Sequence, residues 1–159
     1  MTKANGHAAT SSTPPLSIHG QYLKDFSFEN PNPLEAFGGD HQDKQPQINI
    51  DIQVKAEPVG EKTFEVVLHV RAEAKREKSQ LFLTEISYAG IVSLGDEVPQ
   101  EHYGPLLMLH CPALLFPFAR PLIADATRNG GFPPLMMDPV DFARLYHEQQ
   151  TQTEQPQTT

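Results

Sequence analysis

The sequence predicts an α+β domain, a four-stranded antiparallel sheet with two C-terminal helices packed on one face. Three observations carry this. Four segments between residues 21 and 94 alternate apolar and polar side chains with period two. The turns joining the second, third and fourth are short, which suits antiparallel neighbours and not crossovers. From Val98 onward the apolar residues recur at intervals of three and four instead.

The first strand runs from Gln21 to Glu29. By parity Tyr22, Lys24, Phe26 and Phe28 share one face, and Leu23, Asp25, Ser27 and Glu29 the other. Pro31 and Pro33 end it, because proline cannot donate to the ladder. The connection to Pro46 carries Leu34, Phe37, Gly38 and Gly39, and connections of that length are usually functional or mobile. In the second strand Ile48, Ile50, Ile52 and Val54 alternate with Asn49, Asp51, Gln53 and Lys55. After a turn over Pro58–Lys62, the third strand, Thr63 to Ala74, directs Phe64, Val66, Leu68 and Val70 inward, with Glu65, His69 and Arg71 outward. A charged turn leads to the fourth, Leu81 to Leu94, where Phe82, Ile86, Tyr88 and Val92 oppose Leu83 and Glu85. One apolar and one polar face mean a sheet covered on one side only.

Pro99, Pro105 and Pro112 predict a kinked or broken first helix whose best part follows Pro112. Its apolar stripe is Leu115, Phe118, Ala119, Leu122 and Ala126, and Gly130-Gly131 is its stop. The second helix is expected to start at Asp138 as N-cap, with Pro139 at its first position and Asp141 near the positive dipole end. Its apolar face is Val140, Phe142, Leu145 and Tyr146. Residues 1–20 read as a disordered polar tail and 151–159 as a second polar tail, flanking a domain over 21–150.

Composition narrows function. The formal net charge is −8 and the pI about 5.3, against the clustered Lys and Arg that nucleic acid requires. An acidic surface suits a basic protein partner, or serves solubility alone. The single cysteine, Cys111, excludes an intramolecular disulfide and fits a reducing compartment. Residues 1–17 hold no apolar signal core, and no uninterrupted apolar run approaches about 18 residues, so a cytoplasmic protein without membrane insertion is expected.

Candidate chemistry is sparse. His110 and Cys111 are adjacent, so on a helix they diverge by about 100° and make a poor nucleophile–base pair. The seven histidines show no compact ligand spacing, and neither glycine pair sits in a phosphate-loop context. No catalytic residue, metal site or cofactor is expected. Asp25, Glu29, Leu83 and Glu85 fall on the polar side of their strands by parity. On the residues alone they read as ordinary solvated positions, and an outward leucine among acids tilts the balance only slightly toward a contact patch. The surplus of Phe, Leu and Met points to oligomerisation or exposed grooves.

Several stretches carry a resemblance: Tyr22 to Pro31, Phe64 to Leu68, Phe82 to Ile91, and above all Cys111-Pro-Ala-Leu-Leu-Phe-Pro-Phe-Ala-Arg120 and Gly131 to Phe142. Across about residues 18–150 the chain resembles the SecB family of protein-export chaperones. The resemblance implies the SecB-like fold, a homotetramer built as a dimer of dimers, and no enzymatic activity. It implies an ATP-independent chaperone that holds unfolded precursor proteins and passes them to the motor ATPase SecA. Motor contact carries over to Asp25, Glu29, Leu83 and Glu85, and client binding to Phe37, Ile48, Ile50, Ile52, Phe142 and Tyr146. The C-terminal tail has one acid, Glu154, where the family makes a second SecA contact, which puts that contact in doubt. The alternative is an acidic scaffold recognising one folded partner without holdase activity.

Overall fold

The computed structural model describes residues 13–38 and 44–153. Its elements are β1 (Leu16–Glu29), α1 (Pro33–Phe37), β2 (Gln47–Gly60), β3 (Thr63–Arg76), β4 (Ser79–Leu94), α2 (Gln100–Asn129) and α3 (Phe142–Thr153). The strands form one antiparallel sheet in the order β1-β4-β3-β2. The meander of β2, β3 and β4 follows from its two-residue turns, and the connection through α1 lets β1 pair with β4 on the far side. The α+β class and the four-strand, one-face plan agree with the sequence.

Cross-strand partners define the inner face in rows. Ile48, Ala74 and Phe82 form one; Ile50, Ala72, Thr84 and Phe28 the next; Ile52, Val70, Ile86 and Phe26 another; Val54, Leu68, Tyr88 and Leu23 a fourth. Opposed residues share a face, so these rows are what the helices meet. The alternation of β2, β3 and β4 is as expected. That of β1 is not, because Leu23 faces Tyr88 while Asp25 faces Ser87, which leaves Lys24 as an extra residue in a β-bulge. A one-residue insertion reverses the parity on its N-terminal side. Leu23 therefore joins Phe26 and Phe28 inside, and Tyr22 joins Asp25, Ser27 and Glu29 outside. β1 also begins at Leu16, so residues 16–20 belong to the sheet, not to a tail.

α2 lies over β4 and β3. Its expected break is instead a local widening. A π turn at Leu106–His110 stands immediately before Pro112, and the helix continues from Cys111 to Asn129. Pro117 and Pro121 sit on the exposed side, in line with Ala113 and Asp125, where water can satisfy the carbonyls they leave free. The buried stripe is Cys111, Leu115, Ala119 and Ile123 with Phe116 and Ala126. Phe118, expected in the stripe, is half exposed and stacks on Tyr88 with centroids 6.3 Å apart. By length and apolar content α2 is long enough to cross a membrane, a feature the sequence reading missed; here its buried stripe is core. Gly90 admits this close packing, since a Cβ there would come within 3.2 Å of Leu115 Cδ2.

α3 starts three residues later than expected. Asp141, not Asp138, caps it, its Oδ1 accepting the Arg144 N–H at 3.1 Å. It runs to Thr153, so residues 151–153 are helix. The tail expectations for residues 1–12 and 154–159, Glu154 included, lie outside the described residues.

The segment between α2 and α3 hangs on Thr127. Its hydroxyl donates to the Ile123 and Ala124 carbonyls at 3.0 Å and accepts the Leu135 N–H at 2.8 Å, while its carbonyl accepts the Phe132 N–H at 3.0 Å. Thr127 is fully buried. Thr127→Val keeps the volume but leaves the Leu135 N–H unpaired, which is expected to cost about 1–3 kcal/mol in urea unfolding. A loss near zero would show that the segment is held by packing alone.

Candidate functional site

The two faces of the sheet carry different chemistry. On the outer face the pairings Glu29↔Leu83, Ser27↔Glu85 and Asp25↔Ser87 place the four expected motor-contact residues along β1 and β4. The bulge at Lys24 lies N-terminal to Asp25, so their outward parity survives it. Beside them on β3 stand Arg71 and Glu73, opposite Glu85 and Leu83. Arg71 Nε lies 3.3 Å from Glu85 Oε1 and its Nη1 lies 3.3 Å from Glu73 Oε2, while Lys75 Nζ reaches Glu73 Oε1 at 3.2 Å. Burial pushes the Glu73 carboxyl pKa up, but the Lys75 hydrogen bond and the Lys75 and Arg71 charges more than offset this and hold it below the usual carboxylate range.

Further along the same face is a shallow depression of about 400 Å³ over Val67, rimmed by Lys24, Lys55, Glu65 and His69. Glu65 accepts hydrogen bonds from the Lys24 ammonium and the Tyr22 hydroxyl, which lower its pKa. The same bond to Glu65, with burial and the neighbouring charge, pushes the Tyr22 phenol up to about 12. The sequence placed Tyr22 on the inner face and missed this cluster; only the bulge brings phenol, ammonium and carboxylate together.

On the inner face α2 and α3 leave β2 partly bare. Ile48 is 45% and Ile50 42% exposed although both point to the helix side. Ile52 is half-buried against the core. A groove of about 440 Å³ runs between this row and α3, bounded by Pro139, Val140 and Leu145, with Asp51, Arg144 and Glu148 at its rim. Outside the groove an aromatic chain rises from the sheet: Phe28 to Phe82 at 6.0 Å, Phe82 to Phe132 at 5.0 Å, Phe132 to Phe37 at 5.4 Å. Phe82 shares its row with Ile48, so the exposed Phe37 and the isoleucines belong to one apolar strip. Gly131, at φ 88°, gives Phe37 room, since a Cβ there would meet its ring at 2.8 Å.

Two of the six expected client residues stand elsewhere. Phe142 is only 5% exposed and packs edge-on against Phe116 at 5.9 Å, so it is core and not groove wall. Tyr146 turns toward α2, where a Cβ on Gly104 would come within 2.5 Å of its hydroxyl. Further bare apolar residues are Leu23 and Phe26 of β1 and Leu114 and Phe118 of α2, with Leu23 linked to Phe118 through Tyr88. A further cavity, of about 600 Å³, lies away from both, among Pro15, Asp96, Glu97, Val98, His102, Leu106 and His110. Cys111 is buried, and burial pushes its thiol up to about 12, the opposite of what a nucleophile needs.

The sequence matches the family described as "Preprotein translocase subunit SecB" over residues 9–153. The chain belongs to the SecB family. It is 49% identical to the protein-export protein SecB of Rhodopseudomonas palustris strain TIE-1, covering 93% of this chain and 92% of that one. The SecB of Afipia carboxidovorans is 48% identical, covering 99% and 97%; that of Mesorhizobium japonicum is 46% identical, covering 91% and 85%. The fold also matches a SecB-like chaperone of Mycobacterium tuberculosis, solved in complex with an antitoxin peptide. The TM-score is 0.58 at 16% identity, covering 79% of this chain and 91% of that one. SecB proteins are export chaperones, which accords with a site made of an apolar strip and an acidic face.

Because Glu65 and Glu73 titrate below their ordinary values in the folded chain, the stability they contribute is present above the unfolded value of 4.5 and lost as pH falls through the folded ones. The thermal midpoint is expected to drop as pH falls below 4.5, and Glu65→Gln should flatten that drop. An unchanged acid limb in Glu65→Gln would remove the cluster as a source of stability.

Proposed function

We propose that this chain is an ATP-independent holdase that binds unfolded precursor proteins, keeps them competent for translocation and delivers them to SecA for Sec-dependent export. The observation that carries this is the division of labour across one sheet. An uncovered aliphatic and aromatic strip lies on the inner face at β2, and an acidic patch around a leucine lies on the outer face at β1 and β4. Client and motor would then occupy opposite faces at once. The peptide held by the M. tuberculosis relative supports the client half of this reading.

Weak apolar contacts suffice if several are linked, because a second segment of the same client binds at high effective concentration. A homotetramer, a dimer of dimers in the cytoplasm, supplies four such strips. The bare residues Leu23, Phe26, Leu114 and Phe118 offer apolar surface for its assembly. Segments that fold withdraw their apolar surface, so release needs no nucleotide. Client contact is assigned to Phe37, Ile48, Ile50 and Ile52, and motor contact to Asp25, Glu29, Leu83 and Glu85.

The purified protein is expected to slow refolding of a destabilised client without ATP. Ile50→Asp should weaken binding of an unfolded segment about five- to thirtyfold, the equivalent of about 1–2 kcal/mol of apolar burial. Full refolding speed with the unsubstituted protein would favour the scaffold that recognises one folded partner. Glu85→Lys should weaken SecA binding with the tetramer size unchanged by light scattering; undiminished binding would move the motor contact off this patch.

A further inference from the structure

The acidic patch is not fully available in the free protein. Arg71 stands between two of its carboxylates, with Nε on Glu85 and Nη1 on Glu73, both at 3.3 Å. The Arg71 side chain is 37% exposed and that of Glu85 38%, so both are reachable from the face the motor would approach. Glu73 has a second cation in Lys75, but Arg71 is the only cation that Glu85 pairs with among the described residues. Asp25 and Glu29, by contrast, make no ion pair there.

We infer that Arg71 is a specificity-determining residue of this outer face, an internal competitor that occupies Glu85 and sets how strongly a basic partner binds there. This rests on the reading of the patch as the SecA contact. A partner's Lys or Arg that reaches Glu85 has to share it with Arg71 or displace it. Displacement exchanges one ion pair for another, so the gain is smaller than for a free carboxylate. Arg71 also subtracts one negative charge from the patch, which lowers the attraction that steers a basic partner in. The partner favoured is one that can accommodate the displaced guanidinium, or offer it a carboxylate, while placing its own cation on Glu85. A merely basic surface is discriminated against.

The test measures SecA affinity for the unsubstituted protein, Arg71→Gln, Glu85→Gln and the double variant, at low and moderate salt. Arg71→Gln is expected to bind about twofold to fivefold tighter, the scale of one exposed ion pair, and with a steeper loss on adding salt. In the Glu85→Gln background the gain should shrink to what removing one positive charge from the patch gives on its own. Should Arg71→Gln fold poorly by circular dichroism, Arg71→Met keeps the aliphatic stem and removes only the charge. Unchanged or weaker binding in a folded Arg71 variant, or a gain undiminished without Glu85, overturns the inference while leaving the delivery reading intact. Absence of SecA binding by the unsubstituted protein overturns the delivery reading and this inference with it.

Discussion

A helix is narrower than the sheet it has to cover. α2 is about 10 Å across, whereas four strands spaced about 4.8 Å apart present a face about 14 Å wide between the outer strand axes alone. α2 therefore seals β4 and β3, where Val66, Leu68, Val70, Ile86 and Val92 are fully buried, and meets each outer strand over only part of its length. The bare residues fall where this predicts: Leu23 and Phe26 on β1, Ile48 and Ile50 on β2. The short α3 and the segment before it close over Ile52 but leave Ile50 at the edge of an open groove. Each bare surface on the inner side is thus a remainder of one incomplete packing layer.

The outer face obeys a different constraint. None of the described residues is layered over it, so its side chains must be compatible with water, and it carries paired charges in two groups, one around Glu65 and one around Arg71. Period-two alternation keeps the two chemistries apart along strands only one residue thick. Client-type contact and charge-type contact can then change independently, because no residue of β2, β3 or β4 contributes a side chain to both faces.

Much of this was readable in the chain. The alternations of β2, β3 and β4 define both faces, and strand parity alone puts the acids at 25, 29 and 85 with Leu83 outside. What could not be read has specific physical reasons. The Lys24 bulge leaves no local mark, since Tyr-Leu-Lys-Asp alternates as well with it as without it, and only the pairing with β4 reveals the extra residue. Asp138-Pro139 has the composition of a helix start, yet Asp141 makes the capping bond. Phe118 and Phe142 lie at helical spacing from core residues, but which of two adjacent aromatics is buried depends on how the helix is rotated over the sheet. The Arg71–Glu85 contact spans two strands and follows from register, not from distance along the chain.

The bulge has one further consequence. β1 is effectively three short strands in series, each in opposite phase to the next, with His19 and Lys24 as the joints. A chain that paired straight through the second joint, with Lys24 opposite Tyr88, would still form a regular ladder there, and nothing in the local sequence would report an error. Yet everything before Lys24 would turn over, sending Leu16 and Ile18 outward. Which residue of β1 is left unpaired, as much as the identity of its neighbours, therefore decides which side of the sheet is oily.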